Sequence, residues 1–205
     1  TKKLAWEGNR PDNHFRGLIE IRYVPSTERL WAINELPIED YLRGLTETND
    51  DAPSEFHKAQ VIAARTFALY HIETGGKYTK GQFVLTGTAS DQVYRGEDAA
   101  ARRPNLVHAV EETRGVVMTY DSSVVITPYY AQSNGQTLAF SAVWGGKPKA
   151  WLVPVADPVC DGKRMIGHGV GMPQRCAMTL ANQGWTFGAI LKNYYQGVEL
   201  RKIYE

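Results

Sequence analysis

Residues 36–70 read LPIEDYLRGLTETNDDAPSEFHKAQVIAARTFALY, a stretch that spells helix, polar elbow, helix. Pro37 suits the first turn of a short helix, where its missing N–H takes nothing from the hydrogen-bond ladder, and Gly44 marks where that helix stops. The elbow, residues 46–52, carries Glu47, Asp50 and Asp51. Pro53 and Ser54 then open a second helix, predicted to run to about His71. Phe56, Ala59, Ala63, Phe67 and Tyr70 fall three or four apart along it, an apolar stripe that predicts burial. Lys58 and Arg65 lie on the other side, and Gln60 points into a seam of Ala63, Ala64 and Ala68. On packing grounds alone Lys58 snorkels, Arg65 pairs with a carboxylate and Gln60 bonds the backbone. The functional alternative is a cleft floored by this helix, into which the elbow delivers Glu47 as an acid.

Outward from this core, residues 17–24 alternate, with Ile19, Ile21 and Tyr23 on one face, and pair with residues 30–35 as a hairpin. Downstream, Thr74-Gly75-Gly76 ends the long helix, and short strands are expected at residues 83–85 and 92–94. Residues 98–112 are helical, but Pro104 places the real start there. Residues 115–120 and 124–131 form a second, β-branched hairpin across Asp121-Ser122-Ser123. Residues 132–149 are polar and glycine-rich around Trp144, the profile of a mobile groove loop. A strand at 151–155, a helix from Pro173 to about Gln183, a helix at 187–195 and a strand at 198–203 complete the chain. This order predicts an α+β fold: antiparallel hairpins and small sheets packed around a central buried helix, with a substrate groove. Residues 1–205 are expected to form a single domain, 1–16 being an N-terminal extension.

Charge excludes some partners. Lys and Arg number 23 against 22 for Asp and Glu, a net charge of +1, so nucleic acid finds no basic footprint. Tyr 11, Phe 6 and Trp 5 suit carbohydrate, whose faces stack on flat rings, as well as a core. No stretch approaches the ~18 apolar residues of a membrane span, and Thr1-Lys2-Lys3-Leu4 opens no export signal. H-E-x-x-H, G-x-S-x-G and P-loop motifs are absent from the sequence, and Gly167-x-Gly169-x-Gly171 is not a dinucleotide fingerprint.

Several words recur in a known order. Leu36-Pro37-Ile38-Glu39-Asp40-Tyr41-Leu42-Arg43-Gly44, Thr46-Glu47 and Lys58-Ala59-Gln60-x-x-Ala63-Ala64-Arg65-Thr66-Phe67-Ala68 resemble the SpoIID/LytB family of sporulation protein and amidase-enhancer domains. Gln92-Val93-Tyr94, Ala109-Val110 with Thr113-x-Gly115, Tyr130 with Ser133-x-Gly135-x-Thr137, His168-Gly169-Val170-Gly171-Met172-x-Gln174 and Tyr194-Tyr195-x-Gly197 continue the resemblance to the C-terminus. It implies an extracytoplasmic, cell-envelope domain directed at peptidoglycan, with its export signal or anchor outside this stretch. The best understood members are lytic transglycosylases, which cut glycan strands lacking stem peptides between MurNAc and GlcNAc and leave 1,6-anhydroMurNAc ends. By the same resemblance Glu47 is the catalytic acid, and Gln60, Arg65, Tyr130, Ser133, His168 and Gln174 lie in or near the groove. No cofactor is implied. The rival reading is a noncatalytic glycan-binding module that enhances a cell-wall amidase.

A lytic transglycosylase needs one carboxylic acid, because the sugar's own C6 hydroxyl replaces water as nucleophile. That acid must hold its proton near neutrality, through burial or a neighbouring like charge. Phe56 and Tyr41 are candidates for the first, Asp50 and Asp51 for the second. Family members commonly follow the Glu with Met-Pro, whereas Thr48-Asn49-Asp50-Asp51 follow here, a more polar elbow that makes Asp50 the second-choice acid.

Cys160 and Cys176 flank His168. In an exported domain an even pair reads first as a disulfide closing a 15-residue loop, worth ~3 kcal/mol in the chain-entropy model. A structural zinc on Cys160, His168 and Cys176, with Asp157 as a fourth ligand, ranks second because the spacing departs from C-x2-4-C knuckles. Free thiols rank third.

Overall fold

The computed structural model describes residues 12–26, 28–76, 78 and 83–205. The residues 1–4 invoked in the sequence reading, and the rest of the extension up to residue 11, lie outside it. The two helices fall where Pro and Gly place them: α1 is Ile38–Arg43, between Pro37 and Gly44, and α2 is Ser54–Glu73. α2 is more deeply enclosed than its stripe predicts, for every residue from 59 to 68 is buried. Two apolar clusters clasp it from opposite sides. Phe56, Ala59, Ile62 and Ala63 pack against Met118, Val170, Met172, Leu191 and Tyr195, while Val61 and Ala64 pack against Leu42, Leu45, Leu106 and Val110. The small alanines on both faces let neighbouring backbones come close.

The second cluster is completed by α4, Pro104–Glu112, whose start at Pro104 is the predicted one, and α3, Glu97–Ala101, packs against α1 and α4. Strands β1, Leu18–Val24, and β2, Arg29–Glu35, form the expected antiparallel hairpin. One of its faces rests Trp31 on Phe83, with ring centroids 4.8 Å apart; the other exposes Ile19, Ile21, Tyr23 and Leu30.

β3, Val116–Tyr120, is the middle of a three-stranded sheet between β4, Ser123–Val124, and β7, Glu199–Lys202, in the order β4-β3-β7. Asp121 and Ser122 turn the chain with φ of 49° and 60°, the left-handed pair that a two-residue hairpin requires. The predicted return strand breaks after Val124. Thr127 Oγ1 donates to the Ala63 carbonyl on α2 at 2.9 Å, pulling the chain off the sheet. Its continuation, β5, Tyr129–Tyr130, pairs in parallel with β6, Met172–Pro173. Gly171 makes this approach possible: a Cβ there would sit 1.9 Å from the Pro128 carbonyl oxygen.

The other strand expectations give way. Residues 83 and 94 make single bridges, Tyr78↔Phe83 and Leu45↔Tyr94, and 151–155 is irregular, with Leu152 sunk in the core. Residues 132–149 contain a short helix, α5, Phe140–Trp144, and are tied down by main-chain bonds from Thr137 to Val155, Leu138 to Gly169 and Phe140 to Leu152. α6, Gln174–Asn182, and α7, Phe187–Tyr194, close the core as expected. The result is the predicted α+β architecture around one central helix.

Two further ties matter. Cys160 and Cys176 are joined, S–S 2.07 Å, on the flank of α6. While they are joined neither is a thiolate for a metal, so the zinc alternative on Cys160, His168 and Cys176 gives way to the disulfide. The second tie is Arg65, fully buried on α2. Its Nε and Nη2 grip Glu39 of α1 at 2.9 and 2.8 Å, and its remaining donors reach the carbonyls of Val116 and Val110 and the Thr113 hydroxyl. Glu39 also accepts the Gly115 N–H at 3.2 Å and the Tyr204 hydroxyl at 2.6 Å. Burial works to raise the Glu39 pKa, but Arg65 and these donors outweigh it and hold the carboxyl below its ordinary value. The pair joins α1, α2, α4 and β3 at one point.

Candidate active site

After α1 the chain runs alongside residues 93–95. Thr46 N–H donates to Val93 and Arg95 N–H donates to Gly44, both at 2.8 Å. This short pairing aims the Glu47 side chain back toward α2. Glu47 is half-buried, and its carboxyl is held at both oxygens. Oε1 accepts the Val93 N–H at 3.2 Å, and Oε2 accepts a short hydrogen bond from the Tyr129 hydroxyl. Behind Tyr129 stands Gln92, whose Nε2 donates to the Tyr129 oxygen at 3.0 Å and to the Ala64 carbonyl at 3.2 Å. Tyr41 in turn donates to Gln92 Oε1 at 2.8 Å. Because Gln92 donates into the Tyr129 oxygen, the single Tyr129 proton is committed to Glu47.

Burial pushes the Glu47 pKa up to about 7, with Tyr129 and Val93 pulling the other way. Burial and the adjacent Glu47 charge together push Tyr129 and Tyr41 well above the ordinary phenol value, so both stay protonated donors. The expected like-charge contribution from the elbow does not arise. Asp50 instead accepts the N–H groups of Asn105 and Leu106 at 3.0 and 3.1 Å, capping the first turn of α4. Asp50 is thereby a helix cap, and the second-choice acid drops out. Among the described residues, no other carboxylate bonds to the Glu47 carboxyl.

Gln60 and Gln174 do gather at Glu47. Gln174 Nε2 donates to the Glu47 main-chain oxygen at 3.3 Å and reaches Gln60 Oε1 at 3.4 Å. Gln60 is buried, and its Nε2 and the Thr48 hydroxyl have no hydrogen-bond partner among the described residues. Both side chains, with Glu47, line a small pocket otherwise walled by Leu42, Leu45, Val61, Ala64 and Leu106. The backbone bond expected for Gln60 on packing grounds is not what the structure shows.

His168 is linked to this site through the main chain of Tyr129. Its Nδ1 accepts the Val170 N–H at 3.1 Å, so Nε2 carries the proton toward the Tyr129 carbonyl, also at 3.1 Å. The imidazole is thus held as one neutral tautomer, flanked by Tyr130 at 5.3 Å and Trp144 at 4.8 Å between ring centroids.

Arg65 and Ser133 go elsewhere. All five Arg65 donors are engaged inside the core, leaving none for a sugar carbonyl or carboxylate, so Arg65 is a scaffold residue. Ser133 is buried and donates a short bond to Asp157, which also accepts the Tyr194 hydroxyl at 3.0 Å beside the disulfide. Tyr130 is buried and belongs with that second cluster, meeting the site through the His168 ring.

The residues that sequence reasoning passed over are Tyr129 and the supporting role of Gln92. Adjacent residues of a strand point to opposite faces. Of the pair Tyr129-Tyr130, only one ring can reach a given site, and the structure sends Tyr129 to Glu47. The alternation was a usable signal, but it lacked a reference for which face was which.

A family model described as Stage II sporulation protein, SpoIID, matches residues 26–120. An uncharacterized protein of Brachyspira hyodysenteriae is 34% identical over 127 residues, covering 61% of this chain and 33% of that protein. Stage II sporulation protein D of Bacillus amyloliquefaciens is 25% identical across 82% of this chain and 75% of its own length. The amidase enhancer of Bacillus subtilis is 33% identical over 42% of this chain and 11% of its own length. The match thus spans about a third of the Brachyspira relative and three quarters of the sporulation protein.

Proposed function

The chain carries a SpoIID family domain, and from that premise we propose that it has a cell-wall related role as a lytic transglycosylase of peptidoglycan, acting outside the cytoplasm on glycan strands that lack stem peptides. The observation that carries this reading is Glu47, a carboxyl raised to about 7 by burial and held by a tyrosine donor. Such a group is protonated often enough at neutral pH to give a proton and basic enough to take one back.

Glu47 in its acid form protonates the glycosidic oxygen leaving the anomeric carbon of MurNAc. The C1–O bond to GlcNAc breaks as the C6 hydroxyl of the same MurNAc bonds to C1, and the proton of that hydroxyl passes to the Glu47 carboxylate. The acid is regenerated, no water is consumed, and a 1,6-anhydro ring results. Tyr129, as a fixed donor, stabilises the carboxylate between the two proton transfers. Gln60 and Gln174 supply amide groups for the sugar's polar substituents. One carboxyl suffices for this cycle, whereas ordinary hydrolysis calls for a second about 5–10 Å away.

The test is incubation of the purified domain with glycan strands stripped of peptides by an amidase, followed by mass spectrometry. Wild type should yield 1,6-anhydroMurNAc ends, and Glu47→Gln should yield none. The second reading, a noncatalytic glycan-binding module that enhances a cell-wall amidase, is favoured by the similarity to an amidase enhancer. It predicts binding without products from either protein, and faster release of peptides when an amidase is added.

A further inference from the structure

We propose that Trp144 is the floor of a sugar-stacking subsite that takes the apolar face of an uncharged N-acetylhexosamine ring of the glycan, set apart from Glu47; this rests on the glycan-directed reading above. Trp144 ends α5 and is 47% exposed, a large aromatic surface left to solvent. The exposure is not slack. Phe140, one turn back on α5, lies 5.0 Å from the Trp144 ring and His168 lies 4.8 Å from it, both tilted, so the indole is wedged between two rings in one orientation.

His168 is itself fixed by main-chain bonds at both nitrogens. The platform is therefore rigid, and a rigid ring binds a sugar face without first losing conformational freedom. Beyond Trp144 the chain turns through Gly145 and Gly146, at φ of 71° and 75°, and a Cβ on either would meet nothing within 4 Å. Those two positions thus place no side chain beside the ring. The platform is also linked to the site through one residue, Tyr129. His168 bonds the carbonyl of Tyr129, and the hydroxyl of Tyr129 bonds Glu47. Since the imidazole is neutral and the indole uncharged, the surface suits the C–H face of a pyranose, and aromatic rings are the side chains that stack on such faces.

The experiment uses the whole chain and two readouts. Binding of the soluble tetramer of N-acetylglucosamine and of peptide-free glycan strands is measured by calorimetry on Glu47→Gln, which does not consume the strands. KM and kcat are measured on Trp144→Ala and Trp144→Phe in the otherwise wild-type chain, with melting curves to verify folding. The subsite predicts about tenfold weaker binding on adding Trp144→Ala to Glu47→Gln, a matching rise in KM with kcat little changed, and near-complete rescue by Trp144→Phe. Unchanged binding and KM in a folded Trp144→Ala protein overturn the subsite while the glycan reading stands. Failure of Glu47→Gln to bind any glycan, together with absence of products from wild type, overturns both. Loss of amidase stimulation in Trp144→Ala with glycan binding intact also overturns it, and marks the ring as a protein contact.

Discussion

Replacing Glu47 by Gln should stabilise the fold at pH 8 and weaken it by ~1 kcal/mol at pH 4. The unfolded carboxyl titrates near its ordinary value of about 4.5, while burial lifts the folded one to about 7. Below about 4.5 both states hold the proton, and the group contributes no pH-dependent difference. As pH rises from there to about 7, the unfolded chain gives up its proton first, and stability falls; above about 7 the loss is complete. That interval is worth ~3 kcal/mol. Gln cannot ionise and escapes the loss. Its carbonyl can keep the Val93 N–H, but its NH2 now faces a Tyr129 hydroxyl that already accepts from Gln92, a mismatch costing ~1 kcal/mol. A net gain of ~2 kcal/mol at pH 8 corresponds to a melting temperature about 4–8 °C higher in a chain of this size. Urea or thermal unfolding of both proteins between pH 4 and 8.5 measures the difference, and contributions from all other titrating groups cancel. A difference that does not change with pH would refute the claim that Glu47 is held in a dry, proton-retaining setting. So would one that moves in the opposite direction.

Tyr129→Phe removes the donor that favours the carboxylate, so the Glu47 pKa should rise further, and the alkaline limb of the pH–rate profile should move up together with a fall in kcat. Glu39→Ala leaves the buried Arg65 without its partner and should cost about 3–5 kcal/mol, read by urea denaturation at pH 7. Since the folded Glu39 pKa lies below its ordinary value, its contribution is present above that value and lost as pH falls through the folded one; the gap between wild type and Glu39→Ala should narrow in acid. Cys160→Ser with Cys176→Ser should cost ~3 kcal/mol, matched by wild type in a strong reductant and measured by the same denaturation.

What the sequence disclosed was local. Pro37, Gly44, Pro53, Pro104 and Gly184 punctuate helices through their own backbone chemistry, and each element ends within a residue or two of where they place it. The strands expected around 83–85, 92–94 and 151–155 failed because their apolar residues serve the core or single bridges rather than a ladder, a choice made by distant partners. The split of the second hairpin likewise depends on Thr127 finding a carbonyl on α2, more than sixty residues earlier. At the site, Glu47 and Gln174 were legible through the family resemblance, and Gln60 also as a polar residue in an apolar seam. Arg65 looked alike on paper, and only the position of Glu39 in space separates a substrate-holding arginine from one that staples the core.

The carboxyl of Glu39 is completed by Tyr204, one hundred and sixty-five positions further along the chain. During translation, then, the Glu39 carboxyl lacks one of its donors until residue 204 has followed. Glu39 and Arg65 therefore meet their full set of partners only after chain made much later has been added, so the stability of the early helices is tied to a residue far from them in sequence.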